Sequence, residues 1–249
     1  MAGGGLWAKI HKWLALIMAI QILFWFVSGL FFAVFPIERV RSEHVIAAQP
    51  PVPLDVAAAG LARLASARVA PGETVQLRML AGRPAALLSA REGRPRLYDL
   101  ATGRQISPVP MTLAARIAEA DHAGDARAAR VSRVVAHNGE YRGPLPAWRV
   151  DFDDGAERAL YVVADTGEVK SRRSALWRTY DLLWRLHIMD WSGEEDFNTP
   201  LLIAASLLAL VMSIAGIVLL PSRLGLTAWL RRRRARINGS RTPSAAPPG

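Results

Sequence analysis

From Trp13 to Phe35 the chain carries no charged residue, and large apolar side chains, among them Leu14, Ile17, Ile20, Leu23, Phe24, Trp25, Phe26, Phe31 and Phe32, occupy every face a helix could present. A helix of that length, rising about 1.5 Å per residue, clears a hydrocarbon core of roughly 30 Å. A second uncharged run extends from Pro200 to Leu220. The pattern therefore predicts two transmembrane helices, over 13–35 and 200–220. Between them the period changes twice. Leu54 to Ala67 reads as a helix with Val56, Leu61 and Leu64 apolar. After Pro71-Gly72, alternation at Val75, Leu77 and Met79, then Ala85–Ser89 and Arg96–Leu100, reads as strands. A second helix is expected over Thr112–Ala120. Strands follow near Val131–Ala136, Trp148–Phe152 and Arg158–Val163, with reversals at Asn138-Gly139, Asp153-Asp154-Gly155 and Asp165-Thr166-Gly167.

Composition agrees with membrane segments, since 51% of the 249 residues are hydrophobic and the mean hydropathy is +0.17 despite 21% charged residues. A cleaved signal peptide would have a shorter apolar core and a small-x-small cleavage site, where this chain has Phe35, Pro36 and Ile37. A net charge of +10 invites a nucleic-acid reading, but the placement of the charge argues against it. Lys9 and Lys12 precede the first span, and Arg223, Arg231, Arg232, Arg233, Arg234, Arg236 and Arg241 follow the second, with no acid in either flank. The intervening region is close to neutral. Flanking Lys and Arg stay cytoplasmic, so both termini are expected inside and residues 36–199 outside. Glu194, Glu195 and Asp196, just before the second span, suit an outer face. The arginine run is then a topology lock with some attraction to anionic lipid, and no nucleic-acid partner is expected.

The sequence divides into a cytoplasmic N-terminus (1–12), the first span (13–35), a proline-containing linker (36–53), two similar halves (54–110 and 111–173), an amphipathic helix with an acidic loop (174–199), the second span (200–220) and a basic tail (221–249). The halves are alike because Arg96-Leu97-Tyr98-Asp99-Leu100-Ala101-Thr102-Gly103 aligns, with one inserted residue, on Ala159-Leu160-Tyr161-Val162-Val163-Ala164-Asp165-Thr166-Gly167. A helix and a paired strand precede each copy. Such a repeat is one structural unit used twice.

A helix, a hairpin and the ending Tyr161-Val162-Val163-Ala164-Asp165-Thr166-Gly167-Glu168-Val169 resemble the PepSY domain. The flanking spans resemble the PepSY-associated transmembrane family, through His11-Lys12-Trp13-Leu14-Ala15-Leu16 and Ser28-Gly29-Leu30 at one end, and Leu186-His187-Ile188-Met189-Asp190-Trp191 and Asp196-Phe197-Asn198 at the other. The resemblance implies an α+β extracytoplasmic domain of two PepSY-like repeats, each a helix on an antiparallel sheet, carried by two transmembrane helices of a bacterial inner membrane. It also implies a regulatory or interaction role toward proteases or neighbouring membrane machinery. Larger members have four spans and some a fused reductase, which makes haem b the cofactor to weigh, with His11 and His187 as its candidate ligands.

Two axial histidines must share one membrane depth. His11 precedes the first span and His187 precedes the second on the opposite side, so one chain is not expected to clamp one haem with both unless residues 176–190 re-enter the membrane. From Leu176 to Trp191 the aromatic residues Trp177, Tyr180, Trp184 and Trp191 recur with Leu183, His187 and Ile188 at three- and four-residue steps. That is an amphipathic helix suited to anchor on the outer lipid surface. Ala205, Ala209 and Ser213, with Gly216 nearby, form a small-residue stripe for packing against the first span or a second copy of the chain. The expected partners are thus the bilayer, an extracytoplasmic or membrane protein, and a homodimer mate. The chain has no cysteine, which removes disulfides and thiol chemistry. His44, His122 and His137 lack an HExxH spacing, and no Gly-x-Ser-x-Gly nucleophile motif occurs. Enzymatic activity is therefore not expected, and Asp153-Asp154-Gly155 reads as a turn.

Overall fold

A computed structural model describes residues 3–65, 69–190, 198–225, 228–230 and 232–233. The chain forms two compact units, one of Met1–Gly29 with Leu183–Gly249 and one of Leu30–Leu182. Glu194, Glu195, Asp196 and Trp191 lie outside the described residues, as do Arg231, Arg234, Arg236 and Arg241.

Helix α1 covers Gly3–Val34 and helix α6 Pro200–Arg223. Within them Gly5–Val34 and Pro200–Pro221 are long and apolar enough to cross a membrane. Their surfaces need a lipid solvent, because Phe26, Ile20, Ile17 and Ile217 are each about two-thirds exposed or more (72%, 69%, 67% and 68%). The less exposed residues of α1 include Trp7, His11, Leu14, Met18, Gln21, Trp25 and Ser28, at alternating steps of four and three. On α6 they include Leu202, Ala205, Ala209, Met212, Gly216 and Leu219, again at three and four. Such a heptad seam is how long helices present one face to a neighbour.

The second unit is α+β with antiparallel sheets. After α1 come a short helix α2 (Ile37–Val40), a 3-10 turn (Glu43–Val45) and helix α3 (Leu54–Ala65). Strands β1 (Thr74–Leu80), β2 (Arg83–Ser89) and β3 (Arg96–Asp99) form a sheet in the order β1-β2-β3. Helix α4 (Met111–Asp121) precedes a second sheet of β4 (Ala128–Val134), β5 (Ala147–Phe152), β6 (Ala159–Val163) and β7 (Val169–Arg173), in the order β4-β5-β6-β7. Helix α5 (Ala175–Ile188) follows.

A helix followed by an antiparallel meander thus occurs twice, and the aligned segments fall on β3 and β6. Their turns share one hydrogen-bond pattern. Gly103 N–H donates to Asp99 O at 2.8 Å and Gly167 N–H to Val163 O at 2.7 Å, while Asp99 N–H donates to Arg104 O and Val163 N–H to Glu168 O, both at 2.9 Å. Both glycines sit at φ +67°, where a side chain on Cβ would be strained. The halves differ in their last strand. Where the second sheet has β7, the first has a single bridge between Tyr98 and Gln105.

Buried clusters lie on both faces of the first sheet, and a third, of Val134, Tyr141, Ala147, Ala159 and Tyr161, lies on the second. One face of the first sheet gives Leu80, Ala85 and Leu97 to a cluster with Leu113, Ala114 and Ile117 of α4 and Val150, Leu160 and Val162 of the second sheet. The other face packs Ala86, Leu88 and Tyr98 on Leu64 of α3. Linker residues are fastened to the end of α4: Ala47 N–H donates to Asp121 O and Ala123 N–H to Val45 O, both at 2.8 Å, and Gln49 Nε2 donates to Ala120 O at 2.7 Å. The last carbonyls of a helix lack partners within it, and here the linker supplies them. Glu140 ties the second sheet to α5, accepting from Arg178 at 2.7 Å, Tyr161 at 2.9 Å and Arg149 at 3.0 Å. Burial pushes its carboxyl up, but the hydrogen bonds from Arg178 and Tyr161 and the charge of Arg149 win and hold it below its ordinary value.

His122, at the end of α4, is buried and its ring lies 5.5 Å from that of Phe152. Burial first, and the charge of Arg158 second, pull its imidazole down from the ordinary range. The unfolded chain then binds a proton more readily than the folded one as pH falls below about 6.5. Thermal unfolding followed from pH 7.5 to pH 5 is expected to show a falling midpoint, and His122→Asn to flatten that slope. An unchanged slope in the variant would remove His122 from the account.

Candidate functional site

Two places bring polar chemistry together, one in each unit. In the first unit α5 ends against the seam of α1. Gln21 Nε2 donates to Leu186 O at 3.3 Å, and Trp25 Nε1 donates to His187 O at 2.7 Å. These carbonyls belong to the last turn of α5, so side chains of the apolar helix cap the end of another. The Ser28 hydroxyl, 1% exposed, has one proton and lies 2.5 Å from Phe24 O and 2.7 Å from His187 Nδ1. Donation to Phe24 O leaves the oxygen as acceptor, so His187 Nδ1–H donates to Ser28. The Trp184 ring stacks parallel to His187, with centroids 6.3 Å apart.

His11 sits further toward the N-terminus of the same seam, with Nδ1 3.0 Å from Met212 O, to which only an Nδ1–H can donate. Gly216 makes room for it, since a Cβ there would lie 3.1 Å from His11 Cε1. His11 thus faces α6 at Met212 and Gly216. The helix between His11 and Ser28 separates the two histidine sites by about 25 Å at roughly 1.5 Å per residue. That separation does not fit one haem held by both histidines of one chain.

Of the small residues on α6, Ala205 is buried and Ala209 and Gly216 lie on the inward seam. Ser213 is exposed, and its hydroxyl donates to Ala209 O at 2.8 Å within its own helix. Met212 takes the inward place. The aromatic residues of α5 that are described are half-buried against their own chain. Arg173 lies over Trp177 at 4.0 Å, Tyr180 packs on Phe32 at 4.7 Å, and Trp184 stacks on His187.

In the second unit a cleft of about 650 Å³ opens between the outer strand of each sheet. Its walls are Leu77 to Ala81 of β1 and the turn after it, Ile117 and Asp121 of α4, Gly167 to Val169 and Arg172 around β7, and the linker from Gln49 to Val52. Arg172 and Asp121 neutralise each other through two bonds of 2.6 and 2.5 Å. Arg78 has no such mate. Its Nε and Nη2 are buried without a hydrogen-bond partner, and burial pulls its guanidinium down from its ordinary value while the charge of Glu168 opposes this. Arg78 went unnoticed in the sequence because a lone cation in an alternating strand reads as solvent-facing. The one available signal is its register: Leu80, two residues on, is apolar, and side chains two apart share a face.

The seam makes a direct prediction for α6. Gly216→Leu and Ala209→Leu force a larger side chain into the helix contact, and each is expected to destabilise the protein in detergent by about 1–3 kcal/mol. Ser213→Leu, on the exposed face, is expected to leave the unfolding midpoint within error of wild type. Equal loss in all three would mean that α6 packs by another face.

With this geometry in hand, comparison with known proteins is informative at one level. The model of the PepSY-associated TM region family matches residues 8–242. No curated protein and no solved structure matches the chain. The match takes in both apolar helices and all of the α+β unit between them, so this is a membrane protein, and the chain belongs to the PepSY-associated TM region family.

Proposed function

We propose that the protein is a non-enzymatic interaction module of a bacterial inner membrane, with both termini cytoplasmic and residues 36–199 extracytoplasmic, where two PepSY-like repeats present a strand edge to a peptide or protein partner. The basic flanks of both apolar helices support this orientation. The observation that carries the reading is the edge of β1. A sheet's outer strand offers unpaired backbone groups, and proteins guard such edges with charge. β4 carries Arg130 and Arg133, and β7 carries Lys170, Arg172 and Arg173. β1 has only Arg78, which is half-buried, while Thr74, Val75 and Gln76 are exposed and uncharged. An unguarded edge beside a cleft is suited to strand addition by a partner, in which backbone pairing gives affinity and the cleft gives selectivity.

The second reading is a haem-binding accessory subunit of an iron or siderophore reductase system. One observation favours it: His11 donates Nδ1–H to a backbone carbonyl, which fixes the tautomer that leaves Nε2 as a metal-ligating atom. Since the two histidines of one chain are too far apart, the ligands would be equivalent His11 residues of two copies.

Two measurements separate the readings. A photo-reactive amino acid at Gln76 is expected to form a discrete adduct in intact cells, whereas one at exposed Glu92, outside the strands, is not. Adducts of equal yield at both positions, or at neither, would count against the edge. Protein purified from haem-replete cells is expected to be colourless; a Soret band lost in His11→Ala would establish the haem reading instead.

A further inference from the structure

Arg78 pairs across the sheet with Ala85, which lies in the core shared with α4, so its side chain is on the inward face of the first sheet together with Leu80. An arginine stays charged at any physiological pH, and Arg78, though half-buried, has its Nε and Nη2 enclosed without hydrogen-bond partners, which destabilises the fold it belongs to. Such a residue is retained at a cost to stability. Arg158 also has a buried, unbonded Nε, but it is ion-paired with Asp154, so its charge is met. The other cation of the cleft, Arg172, is met by Asp121. Glu168 faces the same cleft and has Lys170 at 3.5 Å. Among the described residues no ion pair within 4 Å neutralises Arg78, and the charge of Glu168, in the same cleft, acts on it from farther away.

A strand added to the free edge of β1 would place one residue directly opposite Arg78 on the same face, about 5 Å away between Cβ atoms. We infer that the cleft binds an extended peptide segment carrying an acidic side chain, whose carboxylate pairs with the guanidinium of Arg78. This rests on the strand-edge reading above and adds the chemistry of the occupant. The apolar part of the wall, Pro50, Pro51, Val52, Met79 and Val169, suits β-branched residues on either side of the acid. A carboxylate accepts from a guanidinium fork in a way that a neutral amide cannot match.

The test is a titration of the full-length protein in lipid nanodiscs with N-acetylated, C-amidated Thr-Val-Glu-Val-Thr and its Glu-to-Gln counterpart. The acidic peptide is expected to bind at least tenfold more tightly. Arg78→Met is expected to erase that preference while unfolding at an equal or higher temperature than wild type, because it removes an unmet charge. Arg78→Lys is expected to retain part of the preference. Equal binding of the two peptides by wild type would overturn the role of Arg78 and leave the strand-edge reading standing. Binding of neither would overturn both. Preference only for a Gln peptide with a free C-terminal carboxylate would replace the acidic side chain with a chain end. These comparisons on wild type decide the matter even if the Arg78 variants fail to fold.

Discussion

The backbone groups at a helix end must find partners outside that helix, and the end of α5 shows how this chain meets that demand. Helix α5 stops at Ile188, and its last turn leaves carbonyls without intrahelical donors. Gln21 and Trp25 of α1 supply them, and Ser28 holds the adjacent imidazole. Polar side chains in the middle of an apolar helix are expensive unless they are used. Here Gln21, Trp25 and Ser28 are used on one neighbour, which fixes the end of α5 against α1.

The same accounting distinguishes the two groups of arginines in the α+β unit. Around Glu140, three donors converge on one carboxylate, and the result is a rigid corner between the second sheet and the first turn of α5. Arg78 contrasts with it, a half-buried guanidinium whose enclosed Nε and Nη2 lack hydrogen-bond partners. Local departures of this kind gather where proteins bind something. The strand that bears Arg78 is also an edge strand with no exposed charge, so both features fall on β1.

Much of this architecture is legible in the sequence because its signals are strong. Two uncharged runs longer than a bilayer is thick leave little choice, and the Thr-Gly turns announce the positive φ that both adopt. The strands were placed well where polar and apolar residues alternate, as in β1 and β5. The start of β4 was legible only from Val131, because Ala128 and Ala129 give no contrast between faces. Helix α5 shows an aromatic stripe that suits a lipid surface equally with protein neighbours, and periodicity cannot say that Tyr180 meets Phe32 or that Trp184 meets His187. Ser213, which the four-residue spacing groups with Ala205 and Ala209, is exposed within one chain, where the less exposed positions alternate at three and four and include Met212. The cleft was not legible at all, since it is made by residues from the linker, β1, α4 and β7 that only the fold brings together.

The claim on which the functional account turns is that the free edge of β1 is an occupied surface in the native membrane. Amide hydrogen exchange, compared between native membrane vesicles and purified protein in nanodiscs, reads that edge directly. The account predicts slower exchange in the native membrane for outward-facing amides within Thr74–Leu80, with β5 and β6 unchanged. Identical exchange along β1 in both settings would contradict it.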